Sequence, residues 1–131
     1  GENFIIGGTK TKAGTNRTVP IRFDIKPLIA KRYNPSNEYL FNDYNMFEHD
    51  IVPLTYDKYR GRFKKVMTAL DMTHSPHETR HTFITYAKES NINDYLLKKI
   101  IGHEISDVTE KIYTHRTTEE LINEANKIIF I

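Results

Sequence analysis

The sequence predicts a mainly α domain of the α+β class: a multi-helical fold with a small β-hairpin at its N-terminus. Three observations carry this. Two short apolar or alternating stretches, residues 3 to 7 and 17 to 23, flank "GGTKTKAGTN", whose glycines and turn formers suit a hairpin with a long tip. From Thr55 onward, apolar residues recur at helical spacing behind residues that cap helix starts. At 131 residues, 38% hydrophobic and 27% charged, the chain has the size and composition of one globular domain.

Taken in order, the hairpin carries Lys10 and Lys12 at its tip. A short helix is expected around Pro27 to Tyr33, because proline suits the first helical turn and "LIA" gives an apolar patch. Residues 34 to 53, with "NPSN" and "FNDYN", hold no strong period and read as loop. Thr55 caps a helix reaching about Leu70, in which Tyr56, Tyr59 and Phe63 follow helical spacing and are expected to form a buried stripe. Asn93 caps "DYLLKKIIGH", where Leu96, Leu97, Ile100 and Ile101 are core positions. Ser106 can cap a short helix to Tyr113. The "TTEE" of residues 117 to 120 is a capping box opening a last helix, with Leu121, Ile122, Ala125, Ile128 and Ile129 inward.

The absence of cysteine removes disulfides, thiolate metal ligands and a cysteine nucleophile, and is compatible with a reducing cytoplasm. No apolar run reaches the ~18–20 residues of a membrane span, and no charged-then-apolar leader opens the chain, so neither membrane nor secretion is indicated. The abrupt start at "GENFIIGG" leads us to expect a larger protein. A net charge of +2 is too weak by itself to argue for nucleic acid. Its distribution says more: with the aromatics turned inward, Lys58, Arg60, Arg62, Lys64 and Lys65 share the outer face of their helix, the pattern of a solvated face or of a phosphate-binding one.

"SPHETRHTF", residues 75 to 83, contains both HExxH and HxxRH. The first is a zinc-protease signature, two histidines one turn apart with a glutamate as base. Here, however, the helix starts inside the motif. Ser75 is a cap, Pro76 suits the first helical position, and Glu78 completes an S-x-x-E capping box, so the glutamate has a structural task. The extended zinc motif needs Gly at 84 and His at 87, where the chain has Ile84 and Ala87; a third ligand would have to come from His103 or Glu104. Read as anion binders, His77 and Arg80 lie one turn apart at a helix start, where backbone N–H groups and the helix dipole favour phosphate. The arginine fork grips two phosphate oxygens and keeps its charge.

Downstream comes "LLKKIIGHEISDVTEKIYTH". The order HxxRH, apolar "IIGH", then "YTH" resembles the catalytic domain of the tyrosine recombinases, or phage-integrase family. "TKTKAGTNRTVPI" resembles that family's lysine-bearing hairpin, so the likeness runs from residue 3 to 130. The resemblance implies the multi-helical catalytic fold of that family over residues 1–131, as the C-terminal catalytic domain. It also implies a site-specific recombinase or integrase acting on double-stranded DNA, assembled as a synaptic tetramer in the full-length protein, and cytoplasmic in a bacterial or phage-encoded setting. Tyr113 would be the nucleophile, His77 and Arg80 a histidine–arginine pair on the phosphate, and His103 a further phosphate ligand. Lys10 would protonate the leaving 5′ oxygen, with Lys12 the competitor for that role. Arg60, Arg62, Lys64 and Lys65 would contact DNA phosphates.

The chemistry asks for these residue types. A tyrosine of ordinary pKa, ≈ 10, is about a thousandth ionised near neutrality, so its attack on a phosphodiester needs a base and a cationic cradle. The product would be a 3′-phosphotyrosyl strand and a free 5′ hydroxyl, with no cofactor, metal or ATP required. A type IB topoisomerase uses the same chemistry on one duplex and is the nearest alternative; a DNA-binding module without catalysis and an HExxH zinc protease are others. The resemblance also implies a first arginine on a helix before the hairpin, ending in a glutamate. Neither Arg17 nor Arg32 suits it, so we expect a catalytic domain truncated at its N-terminus, without the core-binding domain and weak or inactive in cleavage alone. Smaller departures are Thr79, where the family often has leucine, and ten residues from His103 to Tyr113 instead of nine. His81 is expected to make a structural hydrogen bond in the core, with His74 and His115 on the surface and Tyr56, Tyr59 and Tyr86 as packing residues.

Overall fold

Phe4–Gly7 (β1) pairs antiparallel with Arg17–Pro20 (β2), Phe4 opposite Pro20 and Gly7 opposite Arg17. This is the hairpin that alternation and turn residues predict. The computed structural model describes residues 3–106 and 118–130. Lys26–Arg32 forms α1, within a residue of expectation, followed by Tyr56–Ala69 (α2), Pro76–Glu89 (α3), Asp94–Ile101 (α4) and Thr118–Lys127 (α5). The described residues therefore form a mixed α+β chain in which helices dominate. None of these helices is long and apolar enough to cross a membrane.

The chain divides into two compact units, residues 1–27 with 83–131, and residues 28–82. The first holds the core. Ala87 of α3, Ile92, then Leu97, Ile100 and Ile101 of α4, and Ala125 and Ile128 at the end of α5 close on one another, with Phe83, Ile84, Tyr86 and Leu121 packed around them. The α4 residues are those the sequence placed inside, and Asn93 caps them as expected, its Oδ1 accepting the Leu96 N–H at 3.1 Å. Each such side chain taken out of water contributes about 1.5–3 kcal/mol. In α5 the inward pattern fails at one position, since Ile129 is 67% exposed. The helix stops at Lys127, which breaks the helical phase, and the Ile129 N–H turns to Ser90 Oγ at 3.0 Å.

Arg22, 8% exposed, anchors that helix end. Its Nη1 donates to the carbonyls of Ala125 and Ile128, and its Nε and Nη2 fork onto Asp24 at 3.1 and 2.9 Å, while Phe130 lies over the guanidinium at 4.8 Å. The arginine thereby satisfies carbonyls that a helix end leaves without intrahelical partners.

The second unit corrects two expectations. Residues 34–53 are not loop throughout: Asn42–Asn45 (β3) and Asp50–Pro53 (β4) form a second antiparallel hairpin. Its strands are short and rich in Asn and Asp, so they carry no β pattern. Turn chemistry holds them instead, Asn45 Oδ1 accepting the N–H groups of Phe47 and Glu48 at 2.9 and 3.2 Å, with His49 in the left-handed region at φ 52°. Nor is the aromatic stripe of α2 buried. Tyr56 is 61% exposed, and the stripe packs on itself, with ring centroids 6.5 Å apart for Tyr56–Tyr59 and 6.2 Å for Tyr59–Phe63. A ribbon, a seven-residue helix and α2 make too few layers to enclose them, and no residue of this unit is fully buried. Hairpin and helix are joined by charge: Lys58 Nζ and Arg62 Nη2 reach the two oxygens of Asp43 at 2.7 and 3.0 Å. The helix expected from Ser106 to Tyr113 and the Thr117 half of the last capping box lie outside the described residues.

Candidate active site

His77 and Arg80 stand in the first turns of α3, as the start signals require. The Ser75 N–H donates to Glu78 Oε2 at 2.6 Å, the glutamate half of the expected capping box, and His74 Nδ1 lies 3.1 Å from Oε1. These bonds, the Ser75 backbone first and the His74 ring next, hold the Glu78 carboxyl at about 2. Glu78 is therefore engaged at the helix start rather than standing free as a base. It also puts a lasting negative charge at the positive end of the helix dipole. His77 is exposed and Arg80 half-buried. His81, expected in the core, is exposed, and its ring meets His77 edge-on with centroids 4.7 Å apart. The reason is the helix phase: four residues on from His77, it shares His77's outer face.

His103 follows α4 through Gly102, whose φ of 71° ends the helix in the left-handed conformation. The N–H groups of Gly102 and His103 both turn back to the Lys98 carbonyl, which leaves the imidazole exposed just beyond the helix end. No substituted residue fits at 102, since a Cβ there would lie 2.8 Å from Gly14 Cα. That contact belongs to the hairpin tip. Lys10 and Lys12 are exposed on the same loop, so the first unit brings the lysine loop and the His103 end of α4 together. His77 and Arg80 belong to the second unit. Tyr113 lies outside the described residues.

Arg17 is the residue that sequence reasoning missed here. Its Nε donates to the Ile100 carbonyl at 3.0 Å and its Nη1 to the Gly14 carbonyl at 3.2 Å. No local pattern in "RTVPIR" marks this role, because the acceptor on α4 lies 83 residues away. Among the candidate DNA contacts, Arg60 and Arg62 are ion-paired at the surface, to Asp57 at 3.5 Å and Asp43 at 3.0 Å, and Lys64 and Lys65 are exposed. Such surface pairs are weak.

The model of the phage integrase family matches residues 1–120 of this chain. A tyrosine recombinase XerA from Saccharolobus solfataricus is 30% identical over 123 residues, 94% of this chain and 39% of that protein. The integrase of Haemophilus phage HP1 is 30% identical over 108 residues, 82% of this chain and 27% of that protein. The chain thus spans well under half the length of both relatives. No solved structure gives a significant match. A match over nearly all of its length, from the lysine-bearing hairpin through HxxRH and IIGH to beyond YTH, establishes that the chain belongs to the phage integrase family.

Proposed function

We propose that these residues are the catalytic domain of a site-specific DNA recombinase or integrase, which breaks and rejoins strands through Tyr113. The observation that carries this reading is the docking of the Lys10/Lys12 loop against the helix end that presents His103, in a chain whose α3 begins with His77 and Arg80. Arg80 and His103 hold the non-bridging oxygens of the scissile phosphate, where charge grows as the phosphorus becomes five-coordinate. His77 takes the phenol proton as the Tyr113 oxygen attacks. The 5′ oxygen departs with a proton from Lys10, or from Lys12 in the alternative register. The 3′-phosphotyrosyl bond conserves the energy of the broken one, so a second 5′ hydroxyl reverses the step without ATP or metal.

In this reading the partner is double-stranded DNA, the basic face of α2 supplies phosphate contacts, the full-length protein works as a synaptic tetramer in the cytoplasm of a bacterial host, and the family's first arginine and core-binding domain come from outside these 131 residues. The test is covalent trapping. Full-length protein on a nicked suicide substrate carrying its site forms a protein–DNA adduct, and Tyr113→Phe forms none. Site-specific binding without an adduct would sink the catalytic assignment and leave a DNA-binding module, whereas relaxation of supercoils without exchange between sites would favour the topoisomerase-like alternative.

A further inference from the structure

The loop that carries Lys10 and Lys12 is fastened to the end of α4 by a side chain with no part in the reaction above. Arg17 lies across the seam, its Nε on the Ile100 carbonyl at 3.0 Å and its Nη1 on the Gly14 carbonyl at 3.2 Å. Beneath it the two backbones touch: a Cβ on Gly14 would meet Gly102 O at 3.7 Å, and one on Gly102 would meet Gly14 Cα at 2.8 Å. Inside the loop, Thr11 is held from both sides. Its carbonyl accepts the N–H groups of Gly14 and Thr15 at 3.1 and 2.9 Å, and its Oγ1 accepts the Gly14 N–H at 3.1 Å. Lys10 and Lys12 flank this pinned residue. His103 directly follows the pinned glycine on the other strand of the seam.

We propose that Arg17 is a positioning residue for protonation of the leaving group: it fixes the lysine loop against the helix end that bears His103. The inference rests on the recombinase reading. In that reaction the Tyr113 oxygen bonds to phosphorus, the bond from phosphorus to the 5′ oxygen breaks, and that oxygen leaves with the bonding pair. It takes a proton from the loop lysine, whose ammonium becomes an amine. Proton donation within the transition state contributes about 10²–10⁴-fold, and only while the donor is held within hydrogen-bond reach. A loop released from α4 keeps its lysines and loses that reach.

The experiment compares two nicked substrates in single-turnover cleavage by the full-length protein, one with the ordinary 5′ oxygen and one with bridging sulfur at that atom. A thiolate leaves without being protonated, so the sulfur substrate has no need of the lysine. We expect Arg17→Ala to slow cleavage of the oxygen substrate by about 10²-fold, the scale of a donor misplaced by an ångström, and to leave the sulfur substrate little changed. The rate ratio cancels any loss of folded protein, which lowers both rates alike. Gly14→Ala, whose Cβ would sit 2.8 Å from Thr11 Oγ1, disturbs the same seam while keeping the arginine itself and is expected to show the same selectivity. Equal losses on both substrates, in a protein whose wild type forms the Tyr113 adduct, overturn the positioning role alone. A wild type that forms no adduct with either substrate overturns the recombinase reading and this inference together.

Discussion

The backbone N–H of Ser75 and the Glu78 carboxylate meet at 2.6 Å, and this bond fixes the start of α3 one residue before His77. Because the folded carboxyl titrates at about 2 against an ordinary 4.5, its ionised form favours the fold. That contribution is whole above the ordinary value and is lost as pH falls toward 2. A carboxyl titration followed by NMR should place Glu78 near 2. In Glu78→Gln the acid-side slope of stability should flatten over the same interval. A titration midpoint at the ordinary value would show that the cap does not form.

Asp43 is held at about 2 chiefly by Lys58, with the Tyr44 N–H and Arg62 adding to it. It is also the one carboxylate that ties these two cations to the hairpin. Asp43→Asn should therefore leave Lys58 and Arg62 on α2 available to DNA, raising affinity and steepening its fall with salt. Neutralising Arg60, Arg62, Lys64 and Lys65 together should do the reverse, reducing the log–log salt slope by roughly 3–4 if all four meet phosphates. Binding titrations of the full-length protein at several salt concentrations read both; unchanged slopes would remove α2 from the interface.

Replacing Arg22 by methionine keeps much of its length but removes a donor from the Ile128 carbonyl and leaves the Ala125 carbonyl with the Ile128 N–H at 3.3 Å. The expected cost is about 1–3 kcal/mol. It should appear first as faster amide exchange in α5, and the Asp24 carboxyl, lowered mainly by the bond from Arg22, should return toward its ordinary 3.8. Unaltered exchange in α5 would show that the helix end is held by its apolar contacts alone.

Two apolar positions should behave oppositely despite similar sequence patterns. Leu96→Ala, at 2% exposure, should cost about 2–5 kcal/mol. Tyr56→Ala, at 61% exposure, should stay within about 0.5 kcal/mol. Chemical denaturation of the two variants checks the contrast.

That contrast shows what the sequence could and could not disclose. The α4 core was legible because Asn93, the apolar doublets and Gly102 give start, face and stop in a single run of residues. The start of α3 was legible for the same local reason. The burial of Tyr56, Tyr59 and Phe63 was not, because spacing reveals that side chains share a face but not whether another layer covers it. The second hairpin escaped notice since its pairing rests on Asn45 and a left-handed His49 rather than on alternation. Arg17 and Arg22 were missed for the opposite reason: their acceptors lie 83 and 106 residues away, beyond any local pattern. Of the candidate site, the helix start bearing His77 and Arg80, the helix end bearing His103 and the loop bearing the lysines were readable. What pins that loop to α4 was not.

The bond from Arg22 to the Ile128 carbonyl joins residues 106 apart, across the whole inserted stretch 28–82. A ribosome adds about 5–20 residues per second. The N-terminal hairpin must therefore wait for several seconds of further synthesis before its acceptor emerges, carrying an arginine and apolar strand faces still open to water. Nascent chains stalled before α5 should be the ones that chaperones and proteases meet.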